Sequence, residues 1–223
     1  MLYVIGTPIG NLEDISFRAT RVLNDVDLIL AEDTRKAKIL LDKYKIKTPV
    51  ISYHQHSSSG KIDFIIQKLS QGKDLAMISD AGTPGISDPG NKLIESLICK
   101  MPDLPIIPIP GANAASSALS ISGFPTDRFL FLGFLPKKKG RQTLFKNLQS
   151  ELTNLNIQSI VFYESPYRIV KTLNDIRQVF GNKEIVVCRE LTKKFETVYR
   201  GNISDVICKI KPKGEFTVII KCQ

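Results

Sequence analysis

Five times in the first half of the chain a short, continuously apolar run stops at a turn, and a segment with helical spacing of apolar residues follows. The runs are 2–6, 28–31, 50–52, 75–79 and 106–109. Strands that are apolar on both sides belong in a mainly parallel sheet with helices on both faces, the α/β class. Ser16 is expected to cap a helix over 17–25 that buries Phe17, Val22, Leu23 and Val26. Thr34 is expected to cap the next, which carries Ile39, Leu40 and Leu41. A third spans 61–71, with Ile62, Ile65, Ile66 and Leu69 on one side. Asp88-Pro89 reads as the cap and first turn of a helix over 89–100, and a small-residue helix covers 112–121.

The turn-rich tract 122–128 is the expected boundary between an N-terminal domain, 1–121, and a C-terminal α/β domain, 122–223. Beyond it, strands are expected at 129–133, 159–163, 184–188, 196–199 and 216–221. Helices are expected at about 140–152 and from Ser165-Pro166 to the stop at Gly181, so the second sheet is mixed. No apolar run approaches the roughly 20 residues of a membrane helix. Four scattered cysteines suggest neither zinc nor a disulfide framework. Met1 leads directly into an apolar strand, so no signal peptide is expected and the cytoplasm is the expected compartment. Charge is uneven: residues 1–115 hold 13 Lys/Arg and 13 Asp/Glu, whereas 116–223 hold 18 against 9. A one-sided excess suggests a polyanionic partner.

Three glycine- and proline-rich loops, 6–11, 79–90 and 109–118, each follow an apolar strand. Ligands of open parallel sheets bind beyond the carboxyl ends of the strands, so three such loops in one domain point to a small-molecule cleft. None matches a phosphate-binding P-loop or a dinucleotide fingerprint. Asp80, at the end of a buried run, is placed to accept a hydrogen bond from a ribose hydroxyl or to meet a cationic ligand. The small residues of 111–118 leave room either for a ligand or for tight helix–sheet packing.

Polar residues gather at other strand ends. Glu32, Asp33 and Arg35 lie at a strand-to-helix junction, where one carboxylate can serve as a cap. His54 and His56, the two histidines, share a serine-rich loop that fits RNA or substrate contact better than a metal. Glu164 and Arg168 follow one strand of the second half, and Arg189, Glu190, Lys193 and Lys194 follow the next. Lys137, Lys138, Lys139 and Arg141 read either as a phosphate-backbone contact or as a soluble linker.

Six stretches, in order over nearly the whole chain, carry a family resemblance: TPIGNLEDISFRA (7–19), AEDTRKAKILL (31–41), SDAGTPGISDPG (79–90), PGANAASSALSISGFPTDRFLFLGFLP (110–136), FYESPYRI (162–169) and RELTKKFE (189–196). The chain resembles the tetrapyrrole methylase superfamily. Within it, it is most similar to the RNA-modifying branch that methylates the ribose 2'-hydroxyl of cytidine 1402 in the 16S RNA of the small ribosomal subunit. The resemblance implies a two-domain homodimer with S-adenosylmethionine held in the cleft between its domains. It assigns Asp80, Ala81, Gly82, Pro110, Gly111, Phe162, Tyr163, Leu191, Glu215 and Phe216 to the cofactor pocket. Thr7, Pro8 and Gly10 border the same site. Asn11, Arg35, His56, Lys137, Lys138, Lys139, Arg141, Arg168 and Lys194 are the residues expected to meet RNA. Relatives often read His-Glu-His-Asn where this chain has His54-Gln55-His56-Ser57, and many continue with a helical tail beyond the second sheet.

The methyl of such a sulfonium is already activated, so the protein must align a ribose oxygen and help it lose its proton. Glu164, Glu190 or His54 is the expected proton acceptor, and Lys193 or Arg35 the stabiliser of the developing alkoxide. Position favours Glu164, with His54 holding RNA or water. Two other functions are compatible with parts of the pattern. A methylase of a small tetrapyrrole-like metabolite needs no basic run at 137–141, and a non-catalytic RNA-binding assembly factor needs no cofactor.

Overall fold

The computed structural model describes residues 1–54, 57–137 and 140–222, the side chains of Ser150 and Thr153 excepted. They form two compact units, Met1–Asn113 and Ala114–Gln223. The first alternates strand and helix throughout: β1 (Leu2–Ile5), α1 (Phe17–Asp25), β2 (Leu28–Ala31), α2 (Thr34–Lys43), β3 (Val50–Ser52), α3 (Ser59–Ser70), β4 (Leu75–Ile78), α4 (Asn91–Lys100) and β5 (Ile106–Ile109). A single 3-10 turn, Leu12–Asp14, interrupts the loop after β1. The strands form one parallel sheet in the order β3-β2-β4-β1-β5.

Each face of that sheet has its own core. Ala19, Leu23, Ala37 and Leu41 of α1 and α2 pack with Ile5, Ile29 and Ile78 on one side. Ile65, Leu69, Leu93 and Leu97 of α3 and α4 pack with Leu2, Leu30 and Met77 on the other. All four residues of β4 are buried, as expected of a central parallel strand. Because the strands are parallel, their five C-terminal ends share one edge. The chain leaves β1 and β2 toward one face and β4 toward the other, so a crevice opens on both sides of β4.

The second unit contains α5 (Ala114–Ser120), β6 (Phe129–Phe134), α6 (Gly140–Asn154), β7 (Ser159–Glu164), α7 (Ile169–Phe180), β8 (Glu184–Arg189), β9 (Thr197–Asn202), α8 (Ile203–Lys209) and β10 (Phe216–Lys221). Its sheet runs β6-β7-β10-β8-β9, with β6 and β7 parallel and the remaining pairs antiparallel. Phe145, Leu148, Leu173, Ile176 and Val206 of α6, α7 and α8 pack on Ile160, Phe162, Ile185 and Val218. Residues 114–121 belong to this unit, because α5 packs on β10 and β7.

Local differences from expectation have local causes. Asp33, not Thr34, caps α2, its side chain accepting from the Arg35 amide at 2.8 Å. Asp88 does not cap α4. Gly90, at φ 145°, turns the chain between them, and the helix begins at Asn91. Phe17 is 97% exposed and Ile39 63%, so the apolar face of each helix is narrower than its spacing suggested. Helix α8, too short for a periodicity signal, was not anticipated. Among the described residues no helix is long and apolar enough to cross a membrane.

Candidate active site

In the first unit the edge defined by the strand ends is built backbone on backbone. Gly6 donates to Ile109 O at 3.0 Å, and its loop meets the one after β5 so closely that a Cβ on Gly111 would lie 2.5 Å from Gly6 O. A Cβ on Gly6 would in turn sit 2.8 Å from the Gly111 Cα. The restriction at Gly111 is therefore the neighbouring loop and not room for a ligand. Thr7 and Gly82 exchange backbone hydrogen bonds of 2.8 and 3.0 Å, tying the β1 loop to the β4 loop. Gly82, at φ 79°, makes the reversal that permits this exchange. Thr83 Oγ1 donates to Ala112 O at 3.3 Å, closing the third side. Thr7, Pro8 and Gly82 are buried in this weave, whereas Gly10, Ala81, Pro110 and Gly111 lie exposed along its rim. Asn11 is at the rim too, its Oδ1 accepting from the Glu13 amide at 3.1 Å.

Charged groups line the neighbouring strand ends. Asp80 accepts from the Asp33 amide at 3.0 Å and from Lys36 Nζ at 2.6 Å, so it organises the β2 junction. Arg35 closes a fork on Asp33 with contacts of 3.1 and 2.7 Å, and its side chain is otherwise 89% exposed. That fork holds the Asp33 carboxyl well below the usual range. Glu32, His54, Ser87, Asp88 and Asn91 line a pocket of about 530 Å³ at this edge. Burial, reinforced by the charges of Glu32 and Asp80 and opposed by a hydrogen bond with Ser79, pushes the Asp88 carboxyl up to about 6. Burial, and then Asp80, also raises Glu32. A carboxyl raised toward neutral pH inside an open pocket is suited to proton transfer. In the sequence neither residue stands out as part of a site, because Asp88 before Pro-Gly reads first as a cap and Glu32 lies at a junction where a carboxylate can also cap a helix.

In the second unit Glu164, expected to accept the proton, is instead enclosed. Its side chain is fully buried and both oxygens are taken. Oε1 accepts from Ser165 N at 2.7 Å and from Arg168 Nε at 2.8 Å, and Oε2 from Thr172 Oγ1 at 2.6 Å. Arg168 Nη1 reaches on to Leu135 O at 3.1 Å. Arg141 is 3% exposed, bonded to Thr172 Oγ1 at 2.7 Å and paired through Nε and Nη2 with Asp175. It completes the cluster at 4.0 Å from Glu164. The cluster locks the starts of α6 and α7 to the end of β7. Glu164 cannot reach a substrate hydroxyl, and Arg141 is not a phosphate contact. Phe162 and Phe216 are core residues whose side chains face α6 and α7.

The turn after β8 is held as tightly. Glu190 adopts φ 52°, and its Oε1 accepts from the Glu215 amide at 2.8 Å and from Lys193 Nζ at 3.2 Å. Burial opposes ionisation of Glu190, but these two bonds outweigh it and keep the carboxyl below its ordinary value. Burial likewise pulls the Lys193 ammonium down, but Glu215 at 2.8 Å and Glu190 hold it above its usual range. Gly214 lies against this side chain: a Cβ there would be 2.6 Å from the Glu190 carboxyl. Leu191 is buried beside the turn, and Lys194 is exposed, 5.8 Å over the Phe195 ring. Tyr163 sits among aromatic neighbours, 5.2 Å from Phe131 and 5.4 Å from Phe134. Lys137 is exposed. His56, Lys138 and Lys139 lie outside the described residues. Among the described residues no group of His, Cys, Asp and Glu is arranged to hold a metal.

The family described as Tetrapyrrole (Corrin/Porphyrin) Methylases matches residues 1–207. The chain belongs to the tetrapyrrole methylase family. Among its members, Ribosomal RNA small subunit methyltransferase I of Thermotoga maritima is 46% identical over 222 residues, 98% of this chain and 97% of that one. The protein of the same name from Bacillus subtilis is 42% identical over 226 residues, 99% of this chain and 75% of the other. Solved structures of other proteins share the fold. Cobalt precorrin-4 methyltransferase superposes with a TM-score of 0.70 at 16% identity, covering 99% of this chain and 94% of that one. Diphthine synthase gives 0.71 at 12% identity, covering 99% and 89%.

Proposed function

We propose that this tetrapyrrole methylase is a cytoplasmic, S-adenosylmethionine-dependent RNA methyltransferase. Its product is the 2'-O-methylated ribose of cytidine 1402 in 16S ribosomal RNA, made on the small subunit by a homodimer. The observation that carries this reading is identity of 42–46% over essentially the whole chain to proteins named for methylation of small-subunit RNA. Proteins of the same fold named for precorrin or uroporphyrin methylation stand at 11–16%. The rim of the first unit supports a nucleoside cofactor there, since Gly10, Ala81, Pro110 and Gly111 expose backbone with little side chain above it. Gly82 and Thr7 would shape the floor of that site.

S-adenosylmethionine supplies the activated methyl group. This chain's residues must hold a ribose oxygen in line and take up its proton. With Glu164 enclosed and Glu190 fixed as an ion, the role passes to the pocket that holds His54 and Asp88. Asp88, its carboxyl pushed up to about 6 by burial, receives the proton directly or through His54. Arg35, exposed beyond its fork with Asp33 just after Glu32, is the proposed partner of the developing alkoxide. The test is incubation of the pure protein with labelled S-adenosylmethionine and naked 16S RNA, assembled small subunits or a porphyrinoid. Label in RNA at a ribose 2' position is expected. Label only in the porphyrinoid overturns the reading.

A further inference from the structure

Helix α2 and the turn after it carry the densest run of positive charge in the first unit. Residues 34–48 include Arg35, Lys36, Lys38, Lys43, Lys45 and Lys47 against the single acid Asp42. Averaging over the first half of the chain hides this, because acids elsewhere cancel it. Arg35 and Lys36 are tied to Asp33 and Asp80. Among the described residues, Lys38, Lys43, Lys45 and Lys47 have no carboxylate within ion-pair distance, and all four are exposed. Lys38 and Lys47, with Thr34, Arg35 and Thr48, line a groove of about 370 Å³ between α2 and the outer strand β3. The groove starts at the first turn of α2, immediately after Glu32 and Asp33 at the chemistry-bearing edge, and reaches residues that lead into β3. Lys45 occupies the left-handed position that ends α2, at φ 57°, where glycine is the unstrained choice. A cation stands there at the cost of that strain.

We infer that this groove is a second phosphate-backbone site, holding the substrate RNA on the first unit beside the pocket of Asp88 and His54. The inference rests on RNA being the substrate. Unpaired lysines displace condensed counterions from a nucleic acid, and the Thr34 hydroxyl at the groove can add a neutral hydrogen bond to phosphate. The site is on the unit whose overall charge is balanced, so the cations are local to where a strand of RNA would pass the pocket.

The experiment compares wild type with the triple variant Lys38→Gln/Lys45→Gln/Lys47→Gln and with a control, Lys92→Gln/Lys171→Gln/Lys209→Gln, which removes the same charge from exposed positions elsewhere. Affinity for purified 16S RNA is measured across a salt series, and affinity for S-adenosylmethionine is measured separately. The groove variant should bind RNA roughly tenfold or more weakly at low salt. Its log–log salt slope should be shallower by about 2 to 3 for three lost phosphate contacts. Its cofactor affinity and melting temperature should match wild type, and the control should keep the wild-type slope. Equal slopes for the groove and control variants overturn the site. If wild type itself binds and methylates no RNA, the functional reading fails, and the two failures are distinct.

Discussion

A carboxylate at the end of a buried strand can hold the fold or handle protons, and the state of its oxygens decides which. Those of Glu164 are covered by Ser165, Arg168 and Thr172. Glu164→Gln replaces one acceptor with an NH2 facing these donors and leaves Arg168 without its carboxylate partner. It should lower unfolding free energy by about 3–5 kcal/mol in denaturant titrations, while folded enzyme transfers methyl at the wild-type rate. Asp88 presents the opposite case. Asp88→Asn should slow single-turnover methyl transfer by about 10²-fold, and the wild-type rate should rise with pH through an inflection near 6. Its stability signature has a definite sign. A carboxyl raised to about 6 in the folded state favours folding fully only below the ordinary value of 3.8, and that contribution is lost as pH rises through 6. Asp88→Asn should therefore melt higher than wild type at pH 8, with the advantage gone by pH 4. A higher-melting variant that keeps full activity would remove Asp88 from the chemistry.

Among the elements, the ones legible in the sequence are those whose burial is continuous. The five apolar runs of the first unit are its five strands, and α3 buries Ile65 and Leu69 as its spacing required. What was not legible depends on tertiary neighbours. Glu164 reads as a proton acceptor until Arg168 and Thr172, from the helix that follows, are seen to cover its oxygens, with Arg141 turned inward beside them. Asp88 looks like a cap until Gly90 is seen to break the path to α4. Gly214 gives no sequence signal, yet it is fitted to one side chain. Gly214→Ala would put a methyl 2.6 Å from the Glu190 carboxyl and force an alanine to φ 91°. A loss of about 1–3 kcal/mol is expected from overpacking and strain. Thermal melts, with Glu190→Ala in the same background, measure it, because removing the Glu190 side chain should recover the clash portion only.

At the scale of the whole molecule, half-chain charge points to the second half for a polyanionic partner and overlooks a basic groove in the neutral one. It also grouped residues that do different things. Arg141→Gln should lower the melting temperature and leave the salt dependence of RNA binding to the folded protein unchanged. Lys137→Gln should do the reverse, reducing the slope by about 0.7–0.9. If Arg141→Gln changes the slope and not the melt, the buried cluster has been misjudged. The crossing of Gly6 and Gly111 has a consequence for genetics. Suppressor mutations usually restore a crowded contact by shrinking the partner, but here each partner is already glycine and the crowding atoms are backbone. A defective allele at either position should have no second-site revertant at the other, and a selection for restored function should return only true reversion.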